Sequence, residues 1–106
     1  MMSVPAELSV LESRAASAAA LLKALANERR LLILCRLAAG EASVGALQAQ
    51  LGLPQSVLSQ HLAVLREEGI LATRRQSQAI FYRIADASTT RLVSVLASIY
   101  CPEAEQ

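Results

Sequence analysis

Apolar residues recur along this chain at helical spacing over four stretches, then alternate in two short runs, then return to helical spacing. From Glu7 to about Ala26 the stripe Leu8, Leu11, Ala15, Ala18, Leu22 and Leu25 predicts one helix, with a candidate break near Ser17. Asn27 is placed to cap the next helix, and Glu28 suits the dipole of its first turn. That helix, Glu28 to Ala39, is apolar nearly all round, which predicts a place at the centre of the domain, and Gly40 ends it. Ser43 caps the third helix and Gly52 closes it. Pro54 falls in the first turn of the fourth helix, and Gly69 stops that helix from a C′ position.

After Gly69 the runs ILATRR and AIFYRI, separated by Gln76, Ser77 and Gln78, predict a β-hairpin with a polar, basic tip. Asp86 caps a last helix, apolar at Leu92, Val93, Val95, Leu96, Ile99 and Tyr100 through to Cys101, where Pro102 blocks continuation. Residues 1–6 and 102–106 are expected to be loose. The expected fold is mostly α with a β-hairpin wing: one winged helix-turn-helix domain over 1–106, with five helices. The first and last helices carry more apolar surface than one such domain needs, so they are expected to form a dimer.

The polar positions give the central stretch, Ser43 to Gly69, its chemistry. One side of the fourth helix carries Val57, Leu58, Leu62 and Leu65, while Gln55, Ser56, Ser59, Gln60 and His61 make an uncharged hydrogen-bonding cluster. A solvated helix face ordinarily carries Lys and Glu; Gln, Ser and His both donate and accept, as base edges in a major groove require. These five are the candidate reading residues. The wing tip Arg74, Arg75, Gln76, Ser77 and Gln78 is placed to reach backbone phosphate or a minor groove. Solvated hairpin charges are the plainer reading of Arg74 and Arg75.

Composition narrows the classes. The chain has 106 residues, 54% apolar and 3% aromatic, with a net charge of only +1. Between Lys23 and Arg91, however, nine basic residues face five acidic ones, a modest excess compatible with phosphate contacts. No segment approaches a membrane span or an export signal, so a cytoplasmic protein without membrane contact is expected. With a single histidine, no CxxC and no carboxylate pair near a nucleophile, the chain offers neither a zinc site nor an enzyme's machinery. No cofactor, metal site or catalytic residue is expected. Its two cysteines, Cys35 and Cys101, are far apart in sequence, and in a reducing cytosol a permanent disulfide is not expected. A small thiol oxidoreductase and a dimerisation module without DNA contact are the readings from other classes.

Taken in order, LLKALANERRLLIL, SVGALQAQLGLPQSVLSQHLAVLREEGIL and TRRQSQAIFYRI resemble the ArsR/SmtB family of winged-helix repressors over roughly Leu21 to Cys101. The resemblance implies a homodimer that binds an inverted-repeat operator in double-stranded DNA and releases it when an inducer arrives. It also implies major-groove contacts from Gln55 to His61 and a wing contact from Arg74 to Gln78. Metal-sensing members carry a Cys-x-Cys pair at the start of the third helix, or Asp and His on the last. Here residues 41–44 read Glu-Ala-Ser-Val, and Ser88 to Tyr100 holds neither His nor carboxylate. Cys35 and Cys101 instead match the persulfide- and redox-sensing branch, the BigR/SqrR/HlyU-like proteins, in which reactive sulfur or an oxidant links two cysteines. The expected function is therefore a DNA-binding regulator, by default a repressor, switched by sulfur chemistry at Cys35 and Cys101. The alternatives are a metal-responsive repressor with an unrecognised site and an anti-silencing activator like HlyU.

Overall fold

The computed structural model describes residues 6–101, so the loose ends expected at 1–6 and 102–106 lie outside the described residues, Ala6 excepted. The described residues carry helices α1 (Ala6–Ser13), α2 (Ala15–Leu25), α3 (Glu28–Ala38), α4 (Val44–Leu51), α5 (Gln55–Glu67) and α6 (Ala87–Tyr100). Strands are β1 (Ala42–Ser43), β2 (Leu71–Gln76) and β3 (Ala79–Ile84). The helix count is six rather than five because the first expected helix is divided at Arg14, not at Ser17. The Ser13 hydroxyl donates 2.8 Å to the Val10 carbonyl, the acceptor that Arg14 N–H would use in a continuous helix. Arg14 itself stands outside helical geometry, at φ −117 and ψ 12.

The local signals act as capping chemistry requires. Asn27 Oδ1 accepts the Arg30 N–H at 3.1 Å, and Ser43 Oγ accepts the Ala46 N–H at 3.1 Å. The Asp86 carboxylate accepts from the Ser88 N–H and, at 2.8 Å, from the Thr89 hydroxyl, which is fully buried. Pro54 stands at the cap of α5 rather than inside its first turn, its carbonyl accepting the Leu58 N–H at 3.0 Å. At the other end of α5, Gly69 N–H bonds to Arg66 O and Ile70 N–H to Leu65 O, each at 3.0 Å. This Schellman arrangement needs the left-handed φ of +76 that Gly69 adopts, and it buries Ile70.

Ile33, Leu34, Leu47, Leu58, Leu62, Leu65 and Val93 form the fully buried centre. As expected, α3 runs through it, packed against α2, α4, α6 and β3. It is not buried all round, however: Leu32 is 47% exposed and Cys35 is also at the surface. The sheet is antiparallel, in the order β1-β3-β2. Strand β1 was not foreseen, being two residues long; Ala42 pairs with Tyr82 and Ser43 with Phe81, tying the lead-in of α4 to the wing. In the hairpin Gln76 pairs with Ala79, so the turn is Ser77-Gln78 alone, two residues rather than three. Ser77 supplies the left-handed geometry, at φ 57.

Among the described residues no helix is long and apolar enough to cross a membrane. The radius of gyration is 16.0 Å, against about 13 Å for a compact domain of this length. Part of the excess comes from α1, whose principal packing partner is α2 and on which Leu8 and Val10 are each more than two-fifths exposed. A second apolar surface lies on α6, where Leu92, Val95, Ile99 and Tyr100 are exposed, the last three at 55%, 61% and 76%.

Candidate nucleic-acid interface and thiol pair

The α5 helix turns Leu58, Leu62 and Leu65 into the core, leaving Gln55, Ser56, Ser59 and Gln60 exposed together. Ser59 also lines an open groove of about 470 Å³, with Arg66 and Glu67 beside it and Val44 and Tyr82 on the far side. The polar face of α5, the start of α4 and the base of the wing therefore border one concavity.

His61 is the exception. It shares a flank of α5 with Val64 and Glu68, at steps of three and four residues, and is half-buried. Burial pushes its pKa below the ordinary value near 6.5, and the charges of Arg30 and Arg29 at the start of α3 lower it further. Its partners are cations of its own chain, on a different flank from the exposed Gln and Ser side chains. Arg29 and Arg30 carried no sequence signal for this role, and among the described residues the buried Arg30 Nε has no hydrogen-bond partner.

The wing divides its two arginines. Arg74 sits over the Phe81 ring, its guanidinium carbon 4.7 Å from the centroid. Its Nε donates to both Glu41 carboxylate oxygens, at 2.8 and 3.0 Å, and its Nη2 donates to Oε1 at 2.7 Å. Nη1 donates to Gln76 Oε1 at 2.7 Å. The Arg74 hydrogen bonds hold the Glu41 carboxyl below its usual range, with the charges of Arg74 and Arg83 adding to this against a smaller effect of desolvation. Arg74, expected to face phosphate, is thus engaged inside the protein. Arg75, by strand alternation, points to the opposite face and is exposed; among the described residues it joins no ion pair. Ser77 and Gln78 form the exposed tip. Glu41 was missed in the sequence, where it reads as one loop residue ahead of a helix cap.

Both cysteines are free and exposed. Cys35 is on α3 and Cys101 is the residue capping the C-terminal end of α6, and these two helices pack together. Partial burial raises the Cys35 pKa, and the charge of Cys101 raises it further, so the two thiols lie within electrostatic reach of one another. Arg36, adjacent in sequence to Cys35, gives its thiol no help. Its guanidinium donates to Gln50 Oε1 on α4 and to the Gly40 carbonyl. Among the described residues no group of three or more His, Cys, Asp and Glu side chains is placed to hold a metal ion.

Residues 27–73 match the family described as bacterial regulatory protein, arsR family. The biofilm growth-associated repressor of Agrobacterium fabrum is 49% identical over 98 residues, covering 92% of this chain and 84% of that protein. The transcriptional activator HlyU of Vibrio cholerae is 46% identical over 97 residues, covering 92% and 90%. A structure of reduced HlyU from Vibrio cholerae superposes with a TM-score of 0.83 at 47% identity, covering 89% of this chain and 99% of that one. With relatives this similar over nine-tenths of its length, and with a helix-turn-helix followed by a wing, the chain belongs to the ArsR family of DNA-binding transcriptional regulators.

Proposed function

We propose that the chain is a homodimeric cytoplasmic regulator whose affinity for an inverted-repeat operator falls when Cys35 and Cys101 are joined through sulfur. The observation that carries this reading is the placing of two free, exposed thiols on α3 and at the end of α6, two helices that pack together. Gln55, Ser56, Ser59 and Gln60 read base edges in the major groove, and Arg75 with the Ser77-Gln78 tip meets the backbone beside it. Copies of the chain associate through the exposed apolar residues of α6 and the projecting α1, giving two reading heads for two half-sites.

Bridging removes two protons and two electrons from the thiols. With a peroxide, the electrons reduce the peroxide bond to water and a disulfide results. With an organic polysulfide, each thiolate displaces a terminal thiol, so a sulfur chain joins the cysteines and two thiols leave. Partial burial and the charge of Cys101 both disfavour the Cys35 thiolate, which slows its indiscriminate oxidation. A bridge would couple α6, the helix with the dimer surface, to α3, which packs against α4 and β3 of the reading head. A shift at the interface would then change the spacing of the two heads. That one relative has been solved in a form described as reduced supports a redox-active pair in this branch.

The direction of control is repression by default, as in the Agrobacterium relative, although HlyU is named an activator. The test uses a duplex selected from a random library by the reduced protein. Treatment with an organic polysulfide or a peroxide should release that duplex, and mass spectrometry should find the two cysteines linked. If the Cys35→Ser protein releases the duplex as the wild type does, the switch lies elsewhere.

A further inference from the structure

The Glu41–Arg74 pair crosses the whole outer face of the three-stranded sheet. Glu41 directly precedes β1, the edge strand whose Ser43 caps α4, while Arg74 lies on β2, the opposite edge, with β3 between them. The guanidinium uses three of its nitrogens, two on one carboxylate and one on Gln76, while its face covers Phe81. An arginine held as a fork on carboxylate presents its donors in the geometry that a phosphate would otherwise receive. The strand register places the next residue, Arg75, on the other face with Ile80 as its partner, the face on which Leu71, Tyr82 and Ile84 meet the core. The helices, and so α5, are on that side. Of the two adjacent arginines, one is therefore tied to the scaffold and the other is left free on the side of the reading helix.

We propose that Glu41 and Arg74 are positioning residues for DNA binding: their fork locks the wing to the lead-in of α4, and the wing's phosphate contact belongs to Arg75. The lock sets the distance between the two parts that touch DNA, the wing and the helix-turn-helix. This rests on the reading that the wing meets DNA, and a lower salt slope for Arg75→Ala than for the wild type on the selected duplex tests that reading first.

The experiment measures anisotropy of a labelled copy of that duplex across a salt series, for wild type, Glu41→Ala, Arg74→Ala, Arg74→Lys and the Glu41→Ala/Arg74→Ala double variant. Thermal melting of each protein confirms that it is folded. Under the proposal each single variant weakens binding about two- to fivefold, in line with a solvent-exposed ion pair. The double variant is no weaker than either single one. Arg74→Lys behaves like Arg74→Ala, because lysine keeps the charge and loses the fork. The slope of log affinity against log salt stays at the wild-type value in all four. Two results would overturn the proposal. In one, Arg74→Ala lowers that slope by about 0.9 per phosphate while Arg74→Lys preserves it and Glu41→Ala tightens binding, making Arg74 a phosphate ligand that Glu41 restrains. In the other, all four variants bind as the wild type does, and the pair has no part in DNA binding.

Discussion

Ile99 offers a direct measure of the proposed dimer. It is 61% exposed on α6, with Val95 and Tyr100 beside it at 55% and 76%. Full burial of an isoleucine side chain is worth about 1.5–3 kcal/mol, so covering its exposed part contributes about 0.9–1.8 kcal/mol. A two-fold axis presents the residue twice, and Ile99→Ser should therefore weaken association by about 2–4 kcal/mol. At about 1.4 kcal/mol per tenfold, this raises the dimer dissociation constant roughly 30- to 1,000-fold. Sedimentation equilibrium over a dilution series reads that constant. The side chain contributes little to the core of its own chain, so the far-ultraviolet circular dichroism of the variant should be unchanged. Operator affinity should fall as well, since two unlinked heads lose the gain in effective concentration that joins two half-sites. An unaltered dissociation constant in a folded Ile99→Ser protein would refute the assignment of α6 to the interface.

Other consequences are open to simpler measurements. Arg75→Ala should reduce the salt slope of DNA binding by about 0.9 for each phosphate that the arginine neutralises, hence by nearly 2 for a dimer, and a salt titration by anisotropy reads this. Cys101→Ser removes the charge that opposes ionisation of Cys35, so the pH midpoint for alkylation of Cys35 should move down; an unmoved midpoint would mean that the sulfurs are not neighbours. For His61, burial and the charges of Arg30 and Arg29 lower the folded pKa, so the unfolded chain binds the proton more tightly. The wild type should therefore lose stability as pH falls through about 6.5, and His61→Gln should lose less in urea melts taken between pH 7 and pH 5. Leu34→Ala, at a fully buried position on α3, should cost about 2–5 kcal/mol in the same melts.

The fold was legible because its instructions are local. A cap such as Asn27, Ser43 or Asp86 acts on an N–H two or three residues away, and a C′ glycine acts within one turn. Periodicity likewise exposes Leu58, Leu62 and Leu65 as one face of α5, and with it the exposed Gln and Ser residues opposite. The break at Arg14 was misplaced because it is a local change of backbone angles, which apolar spacing does not reveal.

What the sequence determined by itself was the order of elements, the polar face of α5, the wing and the two cysteines as the available thiol chemistry. Only the tertiary structure decided which of these groups face one another. His61, a residue of the polar run, lies half-buried on another flank of α5, within reach of the charges of Arg29 and Arg30 on α3. Arg74 and Arg75 are indistinguishable as adjacent charges in a hairpin. They part because strand alternation sends them to opposite faces and because an edge strand, paired through β3, brings Glu41 within reach from 33 residues away. Cys35 and Cys101 come within electrostatic reach of one another only through the packing of α3 on α6. A backbone cap is satisfied within a turn of chain, whereas a fork, a thiol pair or a half-buried histidine is defined by surroundings that folding alone brings together.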